Sequence, residues 1–104
     1  MSQIYCAGFV TITMPGFSAA TGASSAATAI PVASDGNRPR YVRVAARNEC
    51  YVKLGISTVV ATANDILVQP ADSVILHVPN GITHIAYIQG TAAGQVNVTP
   101  LEQA

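Results

Sequence analysis

The two histidines are the residues of this chain whose type and spacing could do chemistry. They lie in the segment LHVPNGITHIA, residues 76–86, where His77 and His84 flank the dipeptide Asn80-Gly81. Asn-Gly between two alternating strands is a strong signal for a two-residue hairpin turn. Such a turn places His77 opposite His84 with their Cβ atoms ~5 Å apart. Two imidazoles at that distance could begin a metal site or form an acid–base pair.

The residues around the histidines do not complete such a site. A catalytic zinc needs a third protein ligand, and the same strand face offers only serine, isoleucine and alanine. Asp65 and Asp72 fall near strand ends and could reach the histidines only if the chain folds back. The pairing itself is conditional, because Pro79 could widen the turn and consecutive strands of a jelly roll often lie in different sheets. We therefore interpret His77 and His84 as surface or interface residues.

No other segment carries a catalytic motif. The five carboxylates form no spaced pair on a strand face, and no serine lies in a GxSxG elbow. The glycines match neither the dinucleotide-binding nor the phosphate-loop pattern. The sequence therefore predicts that the protein is not an enzyme and binds no cofactor and no metal.

The low charge of the chain restricts its partners. Charged residues make up 10% of the 104 residues, and five basic side chains balance five acidic ones. A typical soluble domain carries about 25% charged residues. A nucleic-acid-binding protein needs an excess of basic groups to neutralise phosphates, so we expect no such partner. A sparsely charged surface favours coverage by partner proteins.

Nothing in the sequence predicts export or a membrane anchor. No apolar run approaches the ~20 residues of a membrane-spanning helix. The beginning, MSQIYCAGFV, has no basic segment followed by an apolar one, as a secretory signal would. We therefore expect Cys6 and Cys50 to be reduced, buried thiols, with a disulfide between them as the less favoured alternative.

Alternation of apolar and polar residues predicts an all-β fold. Short strands separated by turn residues indicate a single domain over residues 1–104, a small antiparallel β-sandwich or jelly-roll-like module with an irregular N-terminal segment. The segment 14–28 is small and uncharged, which predicts a flexible loop or arm between a first strand near 3–13 and a second near 27–33. The other predicted strands are 41–47, 50–55, 65–69, 73–78, 84–89 and 95–99.

Two features could provide contacts with partners. Tyr41, Arg43 and Arg47 share one face of their strand, and arginine and tyrosine are favoured at interfaces. This face is either a docking patch for an acidic protein surface or an ordinary solvated face. Phe17 is the one large apolar residue that stands alone in the small-residue segment. It could anchor an arm to a partner, although folding back onto its own sandwich is the favoured interpretation.

The second half of the chain, from about residue 42 to residue 102, resembles a group of small structural proteins of tailed-bacteriophage virions. The resemblance lies in a strand ending in valine-lysine-leucine-glycine, a threonine- and alanine-rich turn, a short strand with proline, and an extended strand. A glycine turn with threonine-histidine-isoleucine-alanine and a final strand ending in threonine-proline follow. These motifs are residues 52–55, 58–64, 67–70, 73–78, 81–86 and 94–100.

The resemblance implies a head decoration, or cement, protein. Such a protein is a compact β-sandwich that assembles, commonly as trimers, and binds the major capsid protein on the outside of the head. It is made in the host cytoplasm and ends at the capsid surface of the virion. A tail- or baseplate-associated β module is the first alternative, and a small carbohydrate-binding sandwich is a more distant one.

Overall fold

The computed structural model describes residues 10–103, and these form nine β-strands and no helix. No described segment has the helical length and hydropathy that a membrane crossing requires. The strands, in chain order, are β1 (Val10–Thr11), β2 (Phe17–Ala20), β3 (Ala26–Ala29), β4 (Tyr41–Ala46), β5 (Cys50–Gly55), β6 (Ile66–Val68), β7 (Val74–His77), β8 (His84–Gln89) and β9 (Gln95–Gln103).

The strands form two antiparallel sheets. In the first sheet, β9 pairs along one side with β4, and β4 pairs with β7. The other side of β9 pairs with β2 over residues 95–98 and with β1 over residues 102–103, so these two short strands share one position. The second sheet has the order β3-β8-β5-β6. The prediction of an all-β, small antiparallel sandwich is confirmed.

The alternation seen in the sequence separates core from surface. Val42 and Val44 of β4 are fully buried, and so are Val52 of β5 and Ile85 of β8 from the second sheet. Each fully buried aliphatic side chain contributes roughly 1.5–3 kcal/mol to the free energy of unfolding. Cys50 lies in the same core, where burial raises the pKa of its thiol. Cys50 is thus a buried, free thiol as predicted, whereas Cys6, and with it the less favoured disulfide, lies outside the described residues.

The segment around Asn80-Gly81 connects the two sheets and does not form a hairpin. The N–H of Ile82 donates to the carbonyl of Pro79 at 3.2 Å, and Gly81 has a φ of 87°. Asn80 has a negative φ, as a type II turn requires, whereas the type I′ turn of a hairpin needs positive φ at both central residues. This turn therefore carries the chain from β7 in the first sheet to β8 in the second.

The segment 14–28 contains two strands where a flexible loop or arm was predicted. In β2, Phe17 is paired with Val98, and in β3, Ala26 is paired with Tyr87. The small side chains supply little apolar area, but their backbone N–H and C=O groups pair with the neighbouring strands β9 and β8. The prediction of a flexible loop or arm is thus wrong for residues 17–20 and 26–28, which lie in strands. The predicted first strand, 3–13, lies mostly outside the described residues.

Residues 56–65, which we call the covering loop, lie across the outer face of the second sheet. The N–H of Ala61 donates to Ser25 Oγ at 2.8 Å, next to β3, although the loop leaves β5 and returns to β6. To reach Ser25 it must pass over β8. Ala86 of β8 has an outward position in the register and is nevertheless fully buried. The covering loop therefore shields the outer face of the second sheet, whereas Tyr41, Arg43 and Ile75 on the outer face of the first sheet are exposed.

Candidate docking face

The outer face of the first sheet brings together most of the residues that the sequence singled out. Val42 and Val44 point into the core, so the alternate residues of β4 point outward. Their cross-strand partners on β7 and β9 share that face. We call this surface the docking face. It comprises Ser18, Tyr41, Arg43, Arg47, Ile75, His77, Asn97 and Thr99.

The docking face is basic and apolar. Arg43 is exposed and lies between Ile75 of β7 and Thr99 of β9 in the register. The outward positions of β2, β4, β7 and residues 95–101 of β9 hold no aspartate or glutamate. Ile75 is 59% exposed and Tyr41 is 42% exposed. A strand surface that combines arginine with exposed apolar and aromatic side chains has residue types that are enriched at protein–protein interfaces.

An aromatic contact stabilises one end of the docking face. Tyr41 and His77 are directly opposite each other on β4 and β7, and their ring centroids are 5.5 Å apart at 58°. Tilted aromatic pairs at this distance are favourable. The contact limits the rotamers of both side chains and so holds this end of the docking face in one arrangement.

Polar side chains of β9 and β2 form hydrogen bonds with one another on the docking face. Thr99 Oγ1 donates to Asn97 Oδ1 at 2.9 Å, and Asn97 Nδ2 donates to Ser18 Oγ at 3.0 Å. Groups that are already hydrogen-bonded cost less to cover than free ones. This part of the docking face is therefore uncharged, and its side-chain polar groups are already hydrogen-bonded to one another.

The two histidines lie in different sheets, so the predicted cross-strand pair is wrong. His77 contacts Tyr41 on the first sheet, whereas His84 is paired with Ala29 and Gly55 in the second. The Nδ1 atom of His84 is 2.8 Å from Thr83 Oγ1. Among residues 10–103 no group of three or more His, Cys, Asp or Glu side chains could hold a metal ion.

Phe17 folds back onto its own sandwich. It is half-buried, packs against the core and has its ring centroid 6.3 Å from that of Tyr87 in the other sheet. Its partner in the register is Val98, which points inward, so Phe17 has the same direction. Phe17 is therefore a contact within its own sandwich and does not anchor an arm to a partner.

Two features of the structure were missed by the sequence analysis. Ile75 belongs to the docking face, and its alternation with His77 was the available signal. Glu102 accepts hydrogen bonds from Thr13 Oγ1 at 2.6 Å, from Ser34 Oγ at 2.8 Å and from the Ser34 N–H at 2.9 Å. The hydrogen bonds of Thr13 and then Ser34 lower the pKa of Glu102. This carboxylate fastens β1 and the chain before β4 to β9, a long-range contact that no local pattern indicates.

A cleft of about 500 Å³ opens between the two sheets beside β6 and β7. Its apolar lining comes from both sheets and comprises Val52, Leu54, Ile66 and Leu76. Polar groups at its mouth include His77 and Asp65. The cleft is a gap at the edge of the core and holds no constellation of catalytic groups.

No protein-family model, no curated protein and no solved structure matches this chain. The fold itself is established by the strand register and by the alternation of buried and exposed residues.

Proposed function

We propose that this protein is a structural component of a bacteriophage virion that binds the outside of the assembled head. In this proposal it contacts the major capsid protein, associates with further copies of itself and stabilises the head. It reaches the capsid surface after synthesis in the host cytoplasm. The observation that carries the proposal is the docking face, a broad strand surface with exposed Ile75 and Tyr41, two arginines and no carboxylate on its outward strand positions.

The chemistry of the docking face supports binding to a protein surface with acidic groups. Arg43 and Arg47 extend along one row of the sheet, because the Arg47 N–H donates to the Gln95 carbonyl and continues the pairing of β4 with β9. Guanidinium groups bind carboxylates bidentately and tolerate partial burial. Ile75 provides apolar area beside them. The combination matches the core and rim of protein–protein interfaces.

The cleft described above holds no constellation of catalytic groups, which is compatible with adhesion. A protein that coats a shell needs a rigid module and moderate contacts repeated many times, since several linked contacts raise the effective concentration of each. The sandwich supplies rigidity through strands that are paired over most of their length. The covering loop lies on the opposite side of the sandwich, while Arg43, Ile75 and Tyr41 of the docking face are exposed.

Reconstitution on phage particles tests the proposal. Particles are produced with the gene for this chain disrupted, and the purified protein is added back and measured by co-sedimentation. We expect saturable binding at hundreds of copies per particle, weakened at least about tenfold in the double variant Arg43→Glu/Arg47→Glu because carboxylates then replace both guanidinium groups. Lys53→Glu is the matched control, since Lys53 is exposed on the outer side of the second sheet and its change should leave binding intact.

The copy number and the variants together decide the outcome. About three to twelve copies per particle would favour a tail or baseplate component over a head protein. Absence of binding, or equal binding by the double variant and by Lys53→Glu, would refute docking through this face. Circular dichroism of each variant verifies that the strands remain folded.

A further inference from the structure

The last strand of the first sheet, β7, has an open edge. β4 pairs with one side of β7, and within residues 10–103 no strand pairs with the other side. Natural edge strands are protected by charged residues, proline or bulges, because unpaired N–H and C=O groups can recruit another strand. The sequence of β7, VILH, carries no lysine, carboxylate or proline, and Ile75 on it is 59% exposed.

The free backbone groups of β7 belong to Ile75 and His77. The N–H of Val78 donates to the carbonyl of Arg40 at 2.7 Å, so Val78 directs its polar groups toward the β4 side. Directions alternate along a strand, which assigns Leu76 to the same side and Ile75 and His77 to the open side. Pro79, which has no N–H, ends the usable edge.

We propose that β7 pairs with β7 of a second copy of this chain, antiparallel about a two-fold axis at Leu76. In this register Ile75 of each copy is opposite His77 of the other, and the two residue pairs exchange four backbone hydrogen bonds. Outward side chains of one copy meet outward side chains of the other, as a continuous sheet requires. If the two-fold axis instead passed through Ile75, His77 of each copy would be opposite Ser73 of the other. That register is less favourable, because Ser73 lies outside β7.

The cleft beside β7 supports a second copy as the occupant. Leu76 points into the cleft together with Val52, Leu54 and Ile66. Across the two-fold axis, Leu76 of the partner lies at the mouth of the same cleft. Pairing therefore removes apolar surface of both copies from contact with water. No charged side chain of β7 meets its own copy, so self-pairing has no like-charge repulsion to overcome.

This pairing is independent of head binding, and it differs from the trimer that the sequence resemblance implies. It joins the two first sheets edge to edge, and the outer faces of both copies become one surface. The isolated protein is expected to be a dimer whether or not it binds a shell, so failure of one proposal does not entail failure of the other.

Sedimentation and light scattering measure the expected dimer. The protein is measured over a concentration series that reaches about 1 mM, so that even a dimer with a weak dissociation constant is detected. The mass should rise to twice the 10.7 kDa of one chain within this series. Ile75→Lys should raise the dissociation constant at least about tenfold, because a charge is placed on the edge. Val60→Lys is the matched control, since Val60 is also 59% exposed but lies in the covering loop. A monomer at all concentrations, a trimer, or equal effects of both variants would overturn the proposal.

Cysteine cross-linking tests the register in a Cys6→Ser background. Leu76→Cys places two thiols at a non-hydrogen-bonded pair with Cα atoms about 4.5 Å apart, within disulfide range. Mild oxidation should therefore give a covalent dimer. Ser73→Cys is the control, because its two copies lie about 20 Å apart along the paired strands. A covalent dimer from Ser73→Cys, or none from Leu76→Cys, would contradict this register.

Discussion

Replacement of Gly16 by alanine is the sharpest test of how the first sheet is built. Gly16 lies between β1 and β2 where the chain passes directly against β9. A Cβ atom at this position would be 1.9 Å from the Val98 carbonyl oxygen and 2.8 Å from Thr99 Cα, whereas ordinary contact begins at 3.4 Å. Both contacts are with backbone, so no side-chain rotation can relieve them, and β2 must move away from β9 by about 1.5 Å.

The cost of this movement follows from what β2 holds in place. Phe17 is the first residue of β2, and its ring packs on Tyr87 across the sandwich. A shift would lengthen the hydrogen bonds of the Phe17–Val98 pair and loosen that contact. Overpacking of this kind costs about 1–3 kcal/mol, and lost backbone bonds add about 1 kcal/mol. We expect the free energy of unfolding to fall by about 2–4 kcal/mol and the Tm by about 10–20 °C.

Urea unfolding followed by far-ultraviolet circular dichroism measures the change. Gly22→Ala is the matched control, because a Cβ at Gly22 meets nothing within 4 Å and its φ is not positive. It should leave stability unchanged or raise it by up to about 1 kcal/mol, since alanine restricts the unfolded chain. If Gly16→Ala and Gly22→Ala unfold within about 0.5 kcal/mol of each other, the close approach of this segment to β9 is refuted.

Two further predictions concern hydrogen bonds. Tyr87→Phe should cost about 1 kcal/mol, because its hydroxyl is 2.7 Å from Thr28 Oγ1 in a partly buried position. Thr28→Val should add little to Tyr87→Phe, and additive losses in urea unfolding would contradict the bond. Hydrogen bonds lower the pKa of Glu102 in the folded state. The stabilising effect of the charged Glu102 carboxylate is therefore complete above the unfolded pKa of about 4.3, and it is lost as the pH falls through the pKa of the folded state. Glu102→Gln should therefore flatten this acid-side loss, and an unchanged pH profile of the Tm would contradict the role of Glu102.

The central strands could be predicted because their residues carry the information themselves. β4, β5 and β8 begin and end within a residue or so of the predicted bounds, since β-branched residues alternate with polar ones between turn residues. The placement of Tyr41 and Arg43 on one outer row followed from the same alternation. These parts of the fold and of the docking face depend on local pattern alone.

The remaining parts depend on contacts between distant segments. Asn80-Gly81 is compatible with a type I′ or a type II turn, and only the sheets that receive β7 and β8 decide between them. Small residues such as Ala19 form a strand because β9 offers a free side, which composition cannot indicate. Glu102 is bonded to Ser34 across 68 positions of sequence, beyond the reach of any short pattern.

The covering loop gives this molecule an orientation. Residues 56–65 cover the outer face of the second sheet, whereas Arg43 and Ile75 on the outer face of the first sheet are exposed. Adhesion through the first sheet would therefore place the covering loop on the side away from the partner. A foreign peptide inserted at Ser57-Thr58, in a tight turn of exposed residues, would then project away from whatever the protein coats. Antibody access to such an insert on coated and uncoated protein would report directly which way each copy lies.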